Sequence, residues 1–90
     1  MIKLHGQLIC ASQEELEIVK ACLPEHIKLT LQEEGCISFN VIQTINPFIW
    51  EVDEVFDSLK TFENHQNRTM TSIWGIKTKK IKRLYEILNE

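Results

Sequence analysis

Two hydrophobic periods alternate along this chain in a fixed order, and that order leaves few folds open. Residues 2 to 10 place Ile2, Leu4, Leu8 and Cys10 on one side and Lys3, His5, Gln7 and Ile9 on the other, the period of a half-buried strand. Gly6 within it marks a bulge or a close backbone approach. Ser12 then offers an N-cap, and Glu15 three residues on completes a capping box. Leu16, Val19, Leu23, Ile27, Thr30 and Leu31 follow at helical spacing, and Gly35 supplies a left-handed stop. Pro24 lies inside this run, where a missing N–H predicts a kink or a split into two helices.

Residues 36 to 44 read as a second strand with Ile37, Phe39 and Val41 on one face, and Asn46-Pro47 as a turn. Residues 48 to 56 read as a third strand, with Phe48, Trp50, Val52, Glu54 and Phe56 sharing a face. Asp57 or Ser58 caps a second helix, in which Leu59 and Phe62 define a narrow apolar stripe. A short extra turn is expected over 71 to 76, and Ile81, Arg83, Tyr85 and Ile87 alternate as a last strand. The order β-α-β-β-α-β is the ferredoxin-like plan: α+β, one antiparallel sheet with helices on one face. The opposite face is expected to be apolar enough to need cover.

Ninety residues make one domain, 1–90, with no repeat or linker. Scaling from mass gives a folded surface of ~5,500 Å² against ~15,400 Å² unfolded, so ~64% is buried. A core that thin gains from a partner subunit. The net charge of −3 argues against non-specific nucleic-acid binding. The basic residues Lys77, Lys79, Lys80, Lys82 and Arg83 read as the solvated side of the last strand, with an anion or acidic-substrate contact as the alternative. No apolar run approaches the ~20 residues that span a membrane. The chain starts directly into a strand pattern, and its three cysteines are widely spaced among apolar neighbours. Reduced thiols and a cytoplasmic location are therefore expected.

No His or Cys pair has metal-ligand spacing, no nucleophile elbow is present, and the three glycines are too far apart for a phosphate loop. What remains is a set of His, Trp and acidic side chains near apolar positions. His65 lies three residues after Phe62, at the border between core and solvent, where a pKa can be tuned for proton transfer; a backbone-bonded, purely structural histidine is the alternative. His26 follows Leu23 by three and can also face inward. Glu54 sits in an apolar row, where a carboxylate is costly unless paired. Its open partners are Arg68 or Arg83 in an ion pair, or His65 held in one tautomer. Trp74 can wall a pocket and donate its indole N–H, or simply pack.

Four segments together resemble one family. Glu54, Phe56 and His65 match a third strand ending in Glu-x-aromatic followed nine residues later by a helical His. Glu34-Gly35-Cys36 stands where that family closes its first helix and opens its second strand; Leu23-Pro24-Glu25-His26-Ile27 and the run from His65-Gln66 through Arg68-Thr69 to Trp74-Gly75 match in order. The chain thus resembles, over about its whole length, the antibiotic biosynthesis monooxygenases, small dimeric α+β barrels. Met70 departs from the pattern, standing where many members have a second His.

The resemblance implies a homodimer that oxidises an aromatic quinol, anthrone or related phenol with dioxygen and no cofactor or metal. It implies His65 as general base, with Trp74 and Arg68 orienting the oxyanion and Phe56 and Phe62 forming an apolar wall. His26 and Glu54 are further candidates for the substrate site. The alternatives are a non-catalytic ligand-binding protein and a structural dimer of the same fold.

Overall fold

The computed structural model describes residues 1–90. Its elements are β1 (Ile2–Ile9), α1 (Gln13–Leu31), β2 (Cys36–Gln43), β3 (Ile49–Phe56), α2 (Leu59–Thr71), α3 (Ile73–Lys77) and β4 (Lys82–Asn89). The sheet runs β2-β3-β1-β4, every neighbouring pair antiparallel. This is the ferredoxin-like arrangement read from the hydrophobic periods. The accessible surface, 5705 Å², lies close to the value that mass alone dictates.

Local chemistry sets the helix ends. Ser12 accepts from Glu15 N–H, and the Glu15 carboxylate accepts from Ala11 N–H, the reciprocal bonds of a capping box one residue off its usual register. Of the two candidate caps on α2, Ser58 fills the role: its hydroxyl accepts from Thr61 N–H. Asp57 instead accepts from the Thr61 hydroxyl. Gly35 takes φ +84°, the left-handed region that favours glycine, and turns the chain from α1 into β2.

Pro24 does not split α1, which runs unbroken through Leu31. Leu16, Val19, Leu23, His26 and Thr30 are its buried residues, so tertiary packing holds the helix across the lost bond. Leu31 ends up exposed, as does Leu59 on α2. In β2 a register shift between Cys36 and Ser38 turns Ile37 out to solvent, while Phe39 and Val41 stay level with Glu54 and Val52 of β3.

One core fills the space between sheet and helices, from Ile2, Leu4 and Leu8 of β1 and Trp50, Val52 and Phe56 of β3 to Leu16, Val19 and Leu23 of α1. The other face differs from expectation. Its central rungs are polar: Gln7 donates to Glu51 and His5 bonds Asp53. Apolar exposure concentrates on edge strand β4, where Leu84, Tyr85, Ile87 and Leu88 are open on both faces. The basic run is also not one strand face. Lys77 closes α3, and Lys77, Lys79 and Lys80 line a groove with Glu14 and Glu15; Arg83 donates to Thr78 and to the Ile81 carbonyl. No helix is long and apolar enough to cross a membrane.

Candidate functional site

The sheet and both long helices converge on His65. Phe62 and His65 are the buried residues of α2, one turn apart, so His65 enters the core rather than lying at its border. It is 2% exposed. Phe56 lies against it with ring centres 4.9 Å apart, and Phe39 stands at 6.0 Å, edge-on. Apolar walls on this scale disfavour the imidazolium, and burial holds the His65 pKa below its ordinary value although Glu33 pulls the other way.

Glu33 is the residue that sequence reasoning missed. Its Oε1 takes three contacts: His65 Nδ1 at 2.8 Å, Arg68 Nη2 at 2.6 Å and Arg68 Nε at 3.1 Å. Arg68 Nη2 also donates to the Thr30 hydroxyl at 3.1 Å. A carboxylate held by a guanidinium only accepts, so His65 carries its proton on Nδ1. Thr30 and Glu33 lie near the end of α1 and Arg68 in the last turn of α2. The two helix ends are therefore tied by this cluster.

Glu54 meets none of the arginines proposed for it. Its Oε1 is buried and has no hydrogen-bond partner, and the nearest basic atom is His65 Nε2 at 3.6 Å. Arg83 is engaged with Thr78 and Ile81 instead. Burial, reinforced by the charge of Glu33 and opposed by Arg83, pushes the Glu54 pKa up to about 7.

Above this cluster lies a cleft of about 410 Å³ between α1 and the α2–α3 corner. That volume falls within the range of small-molecule sites. Cys22, Glu25, His26, Arg68, Ser72 and Trp74 contribute to its lining. His26 is stacked on Trp74, with ring centres 4.8 Å apart and planes 6° from parallel. Ser72 caps α3 by accepting from Gly75 N–H. A side chain at position 75 would put its Cβ 1.9 Å from the Thr69 carbonyl oxygen. Only glycine permits the tight corner that brings Trp74 onto His26.

The structure thus divides the expected site residues. His26, Arg68 and Trp74 line the cleft; His65, Glu54, Phe56 and Phe62 lie beneath it and do not. Phe62 packs edge-on against Phe56 at 5.8 Å, within the core. His26 joins the two layers, since its ring centre is 5.9 Å from that of His65. Burial, then the charges of His65, Arg68 and Arg83, lower the His26 pKa to about 3, so it is neutral at pH 7. Its Nδ1 and the Nη1 of Arg68 are buried and unpartnered, leaving one nitrogen and one N–H donor free beside the cleft. No group of three or more His, Cys, Asp or Glu side chains forms a metal-binding array.

Compared by sequence, the chain matches no protein-family model and no curated protein. Compared by structure, its fold recurs in solved proteins, several of which carry the expected family name. A candidate antibiotic biosynthesis monooxygenase from Nitrosomonas europaea superposes with a TM-score of 0.85 over 100% of this chain and 98% of its own, at 15% identity. Another from Deinococcus radiodurans gives 0.78, with 100% and 92% covered and 19% identity. Rv0793 from Mycobacterium tuberculosis gives 0.77, with 99% and 93% covered and 14% identity. The fold of this chain is therefore the ferredoxin-like fold of the antibiotic biosynthesis monooxygenases.

Proposed function

We propose that this protein oxygenates an aromatic quinol, anthrone or related phenol, with His65 as the general base. The observation that carries the reading is the Arg68–Glu33–His65 chain directly beneath a cleft walled by His26 and Trp74. A carboxylate that fixes one imidazole nitrogen leaves the other free to accept a proton, the arrangement general-base histidines use. Deprotonation makes the substrate an electron-rich anion. The anion gives one electron to dioxygen, the resulting radical and superoxide combine into a peroxide anion, and that anion takes back the abstracted proton to become a hydroperoxide. At a benzylic CH₂, loss of water from that hydroperoxide leaves a carbonyl. The protein's part is to remove the proton, stabilise the anion and exclude water. Arg68 Nη1 and the Trp74 ring suit an aromatic oxyanion in the cleft. On this reading the His26–Trp74 stack moves aside before substrate meets His65.

The test is dioxygen uptake by purified protein over a panel of hydroquinones and anthrones, with His65→Ala alongside. Saturable uptake that falls at least ~100-fold in the variant, the lower end of a general base's usual contribution, is expected. Equal uptake in both proteins removes His65 from the mechanism, and no uptake on any substrate removes the oxygenase reading.

A second reading, ligand binding without turnover, has one observation in its favour: the closure of His65 from the cleft. Quenching of tryptophan fluorescence by the same panel, without oxygen uptake, would select it. Both readings include a homodimer, supported by the apolar residues that β4 leaves open on both faces. Sedimentation should give twice the chain mass, and Leu84→Lys with Leu88→Lys should halve it.

A further inference from the structure

Two acceptors face each other inside the core. His65 presents Nε2 as a bare lone pair, because Glu33 has taken the Nδ1 proton at 2.8 Å. Opposite, at 3.6 Å, is Glu54 Oε1, in a residue 7% exposed and with no donor in reach. An ionised carboxylate aimed at a lone pair among aromatic rings is repulsive and poorly solvated. A single proton removes both problems, since either group can donate it to the other. The gap is just beyond hydrogen-bond length, and the broad torsion of a glutamate carboxyl covers the difference.

We propose that Glu54 and His65 hold one proton between them, with Glu33, pinned by Arg68, as the positioning residue that turns Nε2 toward Glu54. Burial favours the sharing from both sides. It pushes the carboxyl up to about 7 and the imidazole below its usual value, so the usual order of the two groups is reversed and the proton favours the carboxyl side of the pair. The charged and titratable groups around the pair come from every packed element. His26 belongs to α1 and Glu33 to the turn that follows it, Arg68 to α2, Cys36 to β2, and Arg83 and Tyr85 to β4. Glu33 favours the proton on the pair; Arg68 and Arg83 oppose it.

The catalytic meaning of the pair rests on the oxygenase reading. In that reaction His65 Nε2 takes the substrate's proton, the substrate keeps the electron pair, and the proton passes to Glu54 Oε1. His65 is then neutral again while the anion meets dioxygen. The pair must start empty, so kcat/KM should rise through about pH 7. In Glu54→Gln that limb should move to lower pH, following the imidazole alone.

The decisive measurements need no turnover. Infrared difference spectra of the protein between pH 6 and pH 8 should show one neutral-carboxyl C=O band that vanishes on the alkaline side and is missing in Glu54→Gln. Nitrogen-15 NMR of histidine-labelled wild type at pH 8 should show His65 neutral with the proton on Nδ1, a preference that Glu33→Gln loses. No band in wild type at pH 6, or a band that survives in Glu54→Gln, overturns the shared proton. An imidazolium or an Nε2–H form of His65 at pH 8 overturns it without any variant. An unchanged tautomer in Glu33→Gln overturns the positioning role. A protein with the band and the tautomer but no oxygen uptake keeps the proton pair and loses only the oxygenase reading.

Discussion

The protein contains two histidine–carboxylate pairs of nearly equal length in opposite surroundings. His5 bonds Asp53 at 2.7 Å on the open face of the sheet, and His65 bonds Glu33 at 2.8 Å in the core. The hydrogen bond and charge of Asp53 raise the His5 pKa, whereas burial overrides Glu33 and lowers that of His65. Contact geometry therefore does not decide what such a pair does; the solvent around it does. On the surface the charged form is favoured and water screens it. In the core the neutral form is favoured, and the carboxylate fixes a tautomer instead of a charge.

The contrast can be broken most forcefully at Glu54. Its folded pKa of about 7 lies above its ordinary value of 4.5, so the folded state binds the extra proton and stability is lost as pH rises toward 7. Glu54→Gln, which cannot ionise, should gain stability over wild type between pH 5 and pH 8 by on the order of 3 kcal/mol. Urea unfolding of both proteins at the two pH values measures this, and a gap that stays constant would refute it. His26 and His65 act with the opposite sign. Their lowered pKa values mean that stability is lost as pH falls below 6.5, and this acid limb should persist in the variant.

A smaller effect is expected at Glu33. Removing it as Glu33→Ala strips His65 and Arg68 of their acceptor together. Loss of one partner from a fully buried pair costs about 3–5 kcal/mol, and partial exposure of Arg68 at 29% and Glu33 at 17% reduces this to about 2 kcal/mol. A denaturation midpoint equal to wild type would show that the cluster does not tie the helix ends. The smallest effect belongs to the surface pair. Asp53→Asn should leave the midpoint unchanged within error and return the His5 titration, followed by proton NMR, toward its ordinary value. A large loss of stability there would erase the distinction between the two pairs.

The same contrast explains what was legible in the sequence. Element order, the Ser12 cap, the turn at Gly35 and the fold resemblance all rest on residues close together in the chain. His65 and Trp74 could be singled out for the same reason. The partner of His65 could not, because Glu33 lies 32 residues away and reads as one of two acids closing a helix. Glu54 was recognisable as a carboxylate in an apolar row, yet nothing local showed that it would meet an imidazole rather than Arg68 or Arg83. The placement of His65 at the border of the core failed for a related cause. Apolar spacing on α2 is sparse, and the sheet beneath supplies Phe39 and Phe56 from distant strands. The split that Pro24 allows does not occur; a lost helix bond is visible locally and the compensating core contacts are not.

Gly75 has a consequence that reaches past its own corner. A Cβ there would fall 1.9 Å from the Thr69 carbonyl oxygen, which makes this glycine the hinge pin on which the indole hangs. A change there would act at a distance, by shifting the Trp74 wall of the cleft while His65 and Glu33 stayed in place. Among descendants of this chain, drift at position 75 would reshape the cleft before it disturbed the buried cluster beneath it.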